Sequence, residues 1–314
     1  MKTIYYPDST LSGQRFAATI GFFDGVHRGH RAVIGQLKEE AARQGLLTMV
    51  VTFERHPREV LQSNWQPQLL TTLEEKKVLL AATGIDQLVV LRFDQTMAAW
   101  TARTFMQKLK SQLGVDLLLT GYDNRFGHDR NEGFQQYQQY GQELGIKVVG
   151  GQPLSEGDMR FSSSLARRLL QEGQVEQACQ CLGRPYTIQG SVVHGHQIGR
   201  TLGFPTANIL LDNAQRLLPA FGVYAVRTCI DGKTYDGVMN IGMRPTFGGH
   251  HATLEVFIFG LEADLYQQSI TVSFIGKIRD EQHFQSPGEL VEQMKKDTEQ
   301  ARQILSEKDS EQAK

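Results

Sequence analysis

Cysteine is scarce in this sequence, with three among 314 residues: Cys179, Cys181 and Cys229. A small and odd number of cysteines is typical of reduced thiols in a cytoplasmic protein. Cys179 and Cys181 could form half of a metal site, but no second Cys or His pair stands at ligand spacing. We therefore expect a cytoplasmic location.

Net charge and long apolar runs are also missing. Lys and Arg number 33 against 34 Asp and Glu, and no basic tract interrupts this balance. An apolar run such as LLTMVV is far too short to span a bilayer, and the opening MKTIYYPDST lacks the apolar core of a signal peptide. These absences predict small-molecule partners, with no nucleic acid and no membrane.

The first half of the chain alternates short apolar runs with helical patterns. Thr72 and Glu75 form a capping box ahead of one such helix, and Gly45 stands where another should end. Near-continuous apolar strands between helices predict a doubly wound α/β domain with a parallel sheet, whose ligands bind at the carboxyl ends of the strands. The predicted strands are 16–23, 46–53, 85–93, 115–121 and 146–151.

From about residue 182, strand-like segments follow one another with few helices. This pattern predicts a small antiparallel β-barrel followed by one C-terminal helix. Ser286, Pro287 and Glu289 indicate where this helix begins. The last nine residues, SEKDSEQAK, are predicted to fray. We therefore expect domains at residues 1–182 and 183–314.

The segment GFFDGVHRGH, residues 21–30, leaves the first predicted strand and enters a helix. His27 and His30 could be ordinary structural histidines, or a zinc pair, although metal-binding helices usually place histidines four apart. A third interpretation is a phosphate site, because the free N–H groups of a helix N-terminus attract anions. Gly25 and Gly29 would then let the main chain come close to the anion.

Two segments together resemble the nucleotidylyltransferase superfamily. GFFDGVHRGH is similar to its HxGH signature, and FSSSLARRLL (161–170) is similar to its second signature, with Ser162, Ser163 and Arg167 at the matching positions and Ala166 where isoleucine is usual. Alone, the serines would be a helix cap, whereas serines with an arginine also suit a polyphosphate. The resemblance implies that Gly21, Phe22, Asp24, Gly25, Gly29, Ser162, Ser163 and Arg167 bind ATP.

VTFERHPREVL (51–61) and LTGYDNRFGHDRNEG (119–133) resemble the flavin-adenylylating branch, the N-terminal module of bacterial bifunctional riboflavin kinase/FAD synthetases. Arg55 stands where that branch commonly has proline. From the residues alone, the second segment is a polar loop after a strand, on the expected ligand rim. The resemblance implies a flavin rim made of His56, Pro57, Asp123, Asn124 and Arg125.

VVHGHQIGRTLGFPTANI (192–209) and four later segments resemble the riboflavin kinase module in order and spacing. The resemblance places the general base at Glu255, Mg²⁺ at Thr206 and Asn208, and ATP at Gly195, Gly199, Gly203 and Asn240. Without it, Glu255 would be an ordinary strand carboxylate. The chain departs from the family at Phe257, which replaces a histidine, and in FGLEADLYQQ (259–268), which lacks the usual Asp-Phe pair and a glycine.

The resemblance implies a bifunctional enzyme. The barrel would phosphorylate riboflavin with ATP to give FMN, and the α/β domain would transfer AMP from a second ATP to FMN, giving FAD and pyrophosphate. His27 and His30 would stabilise charge on the α-phosphate. Two alternatives stay open: one active module with the other reduced to a flavin- or nucleotide-binding regulator, or a flavin-sensing protein without turnover.

Overall fold

The structure is a computed structural model that describes residues 1–11, 13–62, 64–121, 125–128, 132–157, 159–195, 203–246, 249–261 and 263–312. The chain forms two compact units, Met1–Ser163 and Ser164–Lys314.

The first unit is built on a six-stranded sheet in which every neighbouring pair is parallel. Its strands are β1 (Lys2–Tyr6), β2 (Phe16–Ile20), β3 (Leu47–Phe53), β4 (Gln87–Leu91), β5 (Val115–Thr120) and β6 (Lys147–Gly150). The spatial order is β1-β4-β3-β2-β5-β6. The chain thus grows from β2 in one direction through β3 and β4, then crosses to β5 on the other side. The carboxyl end of β2 is therefore a topological switch point, where ligands of such sheets bind.

Helices cover the sheet, and β2 and β4 are buried along their whole length. The helices of this unit are α1 (Arg28–Gln44), α2 (Pro57–Leu61), α3 (Leu73–Ala81), α4 (Gln95–Ala98), α5 (Ala102–Leu113) and α6 (Phe134–Leu144). A small antiparallel hairpin, β7 (Ser155–Glu156) with β8 (Met159–Arg160), follows the sheet. Ile34, Leu37 and Ala41 form the buried stripe of α1, as their helical spacing requires.

The second unit begins with two helices and continues as a closed six-stranded barrel in the order β10-β13-β12-β11-β14-β9. Its elements are α7 (Ser163–Gln171), α8 (Val175–Leu182), β9 (Tyr186–Val193), β10 (Thr206–Leu211), β11 (Gly222–Ile230), β12 (Lys233–Thr246), β13 (Gly249–Ile258), β14 (Ser269–Arg279) and α9 (Pro287–Gln312). All of its strand pairs are antiparallel.

Side chains alternate between the inside and the outside of this barrel. On β13, Leu254, Val256 and Ile258 are buried, whereas Glu255 and Phe257 between them are half-buried. Because successive strand residues point to opposite faces, Glu255 and Phe257 lie on the outer face. The outer face of β13 therefore carries one carboxylate, Glu255, beside an aromatic ring, Phe257.

The predicted fold class is confirmed, with three differences of detail. The apolar pattern does not predict β1, a five-residue edge strand that is only half-buried. The prediction that the tail frays is wrong for residues 306–312, because α9 continues to Gln312 and Arg227 of β11 pairs with Asp309; Ala313 and Lys314 lie outside the described residues. Helices α7 and α8 fall into the second compact unit. The division at 182/183 therefore stays a prediction.

Candidate functional site

The turn between β2 and α1 has an unusual main chain. It forms a short 3₁₀ turn, Asp24–Val26, in which Gly25 has φ 79°. Phe23 and Val26 also have positive φ, at 54° and 39°. Left-handed conformations are costly for residues with bulky side chains, and such strain concentrates at functional sites.

The carboxylate of Asp24 holds this turn in place. Asp24 is 2% exposed and accepts hydrogen bonds from the main-chain N–H groups of Leu70 and Thr71, each at 3.0 Å. The hydroxyl of Thr71 donates to the same carboxylate at 3.1 Å, and the N–H of Gly25 donates to that hydroxyl at 3.0 Å. The Asp24 side chain thus fastens the turn to the segment that leads into α3. We expect any contact of Asp24 with ATP to be through its main chain.

His27 and His30 lie together at the N-terminus of α1. Their rings stack with centroids 3.6 Å apart, and the His27 side chain is 5% exposed. His27 caps the helix, because its Nδ1 accepts a hydrogen bond from the N–H of His30 at 3.3 Å. This hydrogen bond assigns the proton of a neutral His27 to Nε2. The two histidines therefore bring ring N–H donors to a helix N-terminus, which favours an anion.

Gly29 is explained by packing rather than by space for a ligand. A Cβ atom at this position would lie 2.7 Å from the main-chain oxygen of Phe161 and 3.1 Å from the His27 ring. The glycine is thus needed where α1 approaches the second signature. Our expectation that Gly29 admits a phosphate stays untested, whereas the positive φ of Gly25 marks a turn residue.

The two signatures are joined by side-chain contacts inside the first unit. The hydroxyl of Ser163 donates to the main-chain oxygen of Asp24 at 2.9 Å. Arg28 stacks over the ring of Phe161 at 4.5 Å and forms an ion pair with Glu156. Ser162 directly precedes Ser163, the residue that is hydrogen-bonded to the turn. Arg167 lies on α7, in the second unit.

A cleft of about 460 Å³ opens beyond the carboxyl ends of β2, β3 and β4. It is lined mainly by aromatic and apolar side chains, with a few polar groups among them. The lining includes Gly21, Phe22, Phe53, His56, Pro57, Arg58, Phe93, Ala98, Trp100, Arg125, Phe126 and His128. His56, Pro57 and Arg125 of the predicted flavin rim thus meet in one place, while Asp123 and Asn124 lie outside the described residues. An apolar cleft with a few polar groups suits a planar aromatic ligand.

His56 is fixed at this cleft by its position at the start of α2. It accepts a hydrogen bond at Nδ1 from the N–H of Arg58 at 3.1 Å, and Glu59 completes a capping box. Its ring packs against Phe22 and Trp65, each with centroids 4.6 Å apart. Phe22 therefore touches the cleft on one side and leads into the turn with His27 on the other.

In the second unit, a polar row crosses the outer face of the barrel. Asn208 on β10 lies directly opposite Glu255 on β13, and Glu255 in turn lies opposite Asn240 on β12. Side chains opposite each other on one face have Cβ atoms about 5 Å apart. Thr206 shares this face two residues along β10, opposite Phe257. The strands thus bring together four residues that are widely separated in sequence.

The glycine-punctuated segment meets this row at Gly195. A Cβ atom there would lie 2.1 Å from the Asn208 amide nitrogen, so only glycine allows this contact. Gly203 has φ 83°, which favours glycine, and Gly199 lies outside the described residues. His194 stacks on Tyr266 with ring centroids 3.6 Å apart.

No cluster of three or more His, Cys, Asp or Glu residues that could hold a metal occurs among the described residues. The cysteines are free thiols. Thr206, Asn208 and Glu255 instead provide a hydroxyl, an amide oxygen and a carboxylate on one face. These oxygen donors are of the kind that Mg²⁺ prefers.

Comparison with known proteins identifies the family. Residues 10–165 match the FAD synthetase family, and residues 182–305 match the riboflavin kinase family. A bifunctional riboflavin kinase/FMN adenylyltransferase of Escherichia coli K12 is 42% identical over 289 residues, which cover 91% of this chain and 92% of the relative. The Bacillus subtilis protein of the same name is 36% identical and covers 98% of this chain and 99% of its own length. The chain belongs to the bifunctional riboflavin kinase/FMN adenylyltransferase family.

Membership in this family makes the chain an enzyme with riboflavin kinase and FMN adenylyltransferase activities, for which riboflavin, FMN, FAD and ATP are substrates or products. A crystal structure described as a macrolide-efflux protein of Streptococcus pneumoniae has a TM-score of 0.88 and 30% sequence identity, and covers 96% of this chain and 98% of that one. In the part of the present chain that the structure describes, no helix is long and apolar enough to cross a membrane.

The sequence alone did not point to several residues that lie near the histidine turn, the cleft or the polar row. Lys76 lies buried behind the turn and the cleft, although EEKK in the sequence suggests a solvated helix face. Trp65 packs on His56 from a segment with no periodic pattern. Glu281 approaches the polar row, since a Cβ atom on Gly242 would lie 2.6 Å from Glu281 Oε1 and 3.3 Å from Asn240 Nδ2. Glu281 belongs to IRDEQHF (278–284), one of the four segments that resemble the riboflavin kinase module in order and spacing, but the sequence alone assigns it no role.

Proposed function

We propose that FMN is adenylylated at the turn between β2 and α1, with His27 and His30 stabilising the reacting phosphate. The single observation that carries this proposal is the stacked histidine pair at the N-terminus of α1, 3.6 Å apart, on a turn that Ser163 ties to the second signature. The ATP phosphates lie against this turn, held also by Ser162 and Arg167.

The reaction needs no protein nucleophile. An oxygen of the FMN phosphate attacks the α-phosphorus of ATP, the bond from that phosphorus to the bridging oxygen breaks, and pyrophosphate leaves. Bringing two anions together is the main obstacle, so catalysis consists of positioning and charge stabilisation. His27, with its proton on Nε2, and His30 donate to the oxygens on the α-phosphorus, while Ser162, Ser163 and Arg167 hold the departing phosphates.

FMN occupies the 460 Å³ cleft, with its flavin ring among the aromatic side chains and its phosphate toward the turn. Two observations support this. The cleft is lined by Gly21 and Phe22, which also begin the turn, so the two subsites share residues. Arg125 and His56 provide polar groups at an otherwise apolar wall.

Riboflavin is phosphorylated at the polar row on the outer face of the barrel. The terminal ribityl hydroxyl attacks the γ-phosphorus of the kinase-site ATP, its proton passes to the Glu255 carboxylate, and ADP leaves. The position of Glu255 opposite both Asn208 and Asn240 supports this role. Gly195, Gly199 and Gly203 bind the ATP of the kinase site.

Thr206 and Asn208 would hold Mg²⁺ together with the nucleotide phosphates, and the oxygen donors on this face fit that ion. When bound, Mg²⁺ offsets negative charge on the phosphates. Thr206 and Asn208 orient the phosphate chain, Glu255 accepts the proton, and Phe257 with Phe204, 5.2 Å apart, provides an apolar wall beside them.

The cellular setting follows the same reasoning. Three free cysteines support a cytoplasmic location, and a net charge of −1 supports small molecules rather than nucleic acid as partners. We extend the proposal to the predicted domains, with adenylylation in residues 1–182 and phosphorylation in residues 183–314.

A time course of products from riboflavin and Mg-ATP tests the whole scheme. FMN should appear first and FAD after it, and supplied FMN should give FAD without a lag. A chain with one regulatory module would stop at FMN or need supplied FMN, and a flavin sensor would release no product. Chelation of divalent ions by EDTA should stop both steps, and added Mg²⁺ should restore them.

A further inference from the structure

Lys76 is a buried lysine that the reaction scheme above does not use. It lies in α3, one turn after the Thr72 cap, and is 2% exposed. Lysine is almost never fully buried unless it is paired, because removing the ammonium group from water is costly. Its neighbour Lys77 is the ordinary case, since it reaches the surface and pairs with Glu74.

The Lys76 ammonium group is aimed at two main-chain oxygens. Nζ donates to the Phe22 oxygen at 2.9 Å and to the Phe53 oxygen at 3.3 Å. It also lies 4.1 Å from the centroid of the Phe22 ring, which is cation–π geometry. Phe22 follows β2 and Phe53 ends β3, so Lys76 joins the two strand ends.

Both of these phenylalanines line the cleft, and Phe22 also begins the turn that carries the histidines. The Phe22 oxygen receives a second hydrogen bond from the Thr52 hydroxyl at 3.1 Å. Thr52 is fully buried, so this bond too is shielded from water. The position of Phe22 is therefore set from behind by Lys76 and Thr52.

The charge around Lys76 comes from the same turn. Burial lowers the pKa of Lys76 to about 8, and the negative charge of Asp24 opposes that shift. Asp24 itself is held by Leu70 and Thr71 at the start of α3. Helix α3 thus keeps the Lys76 ammonium group buried beside the cleft and the histidine turn. An apolar side chain at this position would pack without the cost of removing a charge from water.

We propose that Lys76 is a positioning residue for FMN adenylylation, which fixes Phe22 and Phe53 so that the cleft stays aligned with the histidine turn. This inference rests on the proposed placement of FMN in the cleft and of ATP at the turn. Lys76 reaches main-chain oxygens and one ring, so it acts through the phenylalanines and not on the reacting atoms.

The contacts predict a specific kinetic signature. Both acceptor oxygens belong to residues of the cleft wall, and neither belongs to His27 or His30. Loss of the cation should therefore raise KM for FMN and lower kcat for FAD synthesis, while KM for ATP changes little. Hydrogen bonds from a buried charged donor change such quantities by about 10- to 100-fold.

Lys76→Met tests this, because methionine keeps the length and removes the charge and the donor. We expect kcat/KM for FMN to fall about 10- to 100-fold, with riboflavin phosphorylation by the same chain unchanged. Thr52→Val is a second, nearly isosteric variant that removes the other donor to Phe22, and it should raise KM for FMN by a smaller factor. The combined variant should lose less than the product of the two effects, because both donors share one acceptor. Lys77→Met is the matched control and should behave as wild type.

Two results together would overturn the inference in favour of a purely structural lysine. In Lys76→Met, KM for FMN and KM for ATP would rise equally and the melting temperature would fall. In Thr52→Val, the kinetics would be unchanged. Wild-type kinetics in both variants would also overturn it. Ala98→Phe separates this result from the placement of FMN, since Ala98 lines the cleft and a phenylalanine there would fill it. A high KM for FMN in Ala98→Phe alone would leave the cleft assignment standing and reject Lys76, whereas no effect in Ala98→Phe would reject the cleft.

Discussion

The Ser163 hydroxyl donates a hydrogen bond to the main-chain oxygen of Asp24, 2.9 Å away, and so connects residues 139 positions apart in the chain. Each residue belongs to a different nucleotidylyltransferase signature. The contact means that the second signature shapes the turn proposed to bind the ATP phosphates, because the single hydroxyl proton of Ser163 is donated to the Asp24 oxygen. Because Phe23 and Val26 hold strained main-chain angles on either side of Asp24, an external bond at this point helps to keep the turn in its conformation.

Ser163→Ala should therefore slow FAD synthesis by roughly 10-fold or more, because loss of this hydrogen bond weakens the turn. Ser163→Thr should recover part of the rate, since threonine keeps the hydroxyl. Ser111→Ala, on the exposed side of α5, is the control. Steady-state rates of FMN-to-FAD conversion measure the effect, and a wild-type rate in Ser163→Ala would contradict it.

His27→Ala and His30→Ala should each slow FMN-to-FAD conversion by roughly 10²–10³-fold, the usual effect of losing one transition-state donor. Riboflavin phosphorylation should barely change. The structure adds a distinction, because His27 alone caps α1 through its side chain. His27→Ala should therefore also cost about 1 kcal/mol of stability, and His30→Ala should cost less.

Thermal unfolding and both enzyme assays on the same preparations check these expectations. Equal loss of FMN and FAD formation in both variants would point to a folding role for the histidines instead of a role in charge stabilisation.

The sequence predicts much of the fold because the signals are local. Buried parallel strands appear as continuous apolar runs, and the Thr72–Glu75 capping box is present with the predicted hydrogen bonds. Strand β1 is missed because it is a half-buried edge strand whose partner, β4, lies more than 80 residues away, at Gln87–Leu91. The helical tail is missed because its support comes from Arg227 on another element.

Some residues of the candidate sites can be predicted from sequence motifs, whereas others become apparent only in the folded structure. Motif resemblance picks out His27, His30, Thr206, Asn208 and Glu255, and the structure brings each set to one place. Lys76 cannot be found from its neighbours, because only tertiary packing turns one lysine of EEKK inward. The reason for Gly29 also needs the fold, since its contact is with Phe161.

Two fragments test where the kinase domain begins. Residues 183–314 leave out α8, whose Glu176 carboxylate accepts a hydrogen bond from the Lys277 N–H at 3.0 Å, and α7, whose Leu170 oxygen accepts one from the Ala220 N–H at 2.9 Å. We expect both 183–314 and 164–314 to phosphorylate riboflavin without making FAD. The longer fragment should have the higher melting temperature, because it keeps these contacts and the buried face of α8.

Circular dichroism melts and a kinase assay on both fragments give the answer. If 183–314 is insoluble or inactive while 164–314 works, the boundary at 182/183 is wrong and the helices belong to the kinase domain.

The first unit should become more stable above pH 8 because of Lys76. Its folded pKa of about 8 lies below the ordinary value of 10.5, so between these pH values the unfolded chain binds more protons. The free energy of unfolding then rises with pH, and the full difference corresponds to ~3 kcal/mol. Lys76→Met should lack this rise and be at least as stable as wild type at pH 7. Urea unfolding of both proteins at pH 7 and pH 9.5 measures the difference, and parallel pH dependence in the two would contradict it.

Glu255→Gln is the sharpest test of the kinase site. Glutamine keeps the size of the side chain and its place opposite Asn208 and Asn240, but it cannot accept the ribityl proton. Loss of a general base costs about 10²–10⁴-fold, so FMN formation should nearly stop. FAD synthesis from supplied FMN should continue, since His27 and His30, the residues proposed to stabilise the reacting phosphate, belong to the other unit.

Phe257 makes the outcome of Glu255→Gln easier to interpret. It occupies the next outward position on β13, packs against Phe204 and Phe259, and offers no nitrogen or oxygen that could replace the lost carboxylate. Little residual activity should therefore remain. Phe257→His would restore a titratable neighbour, and in the glutamine background it should recover part of the rate if a base at this face is what the reaction lacks. A Glu255→Gln rate above about a tenth of wild type, smaller than the least loss expected for a base, would instead make Glu255 an ordinary strand carboxylate and leave the step to phosphate positioning at Thr206 and Asn208.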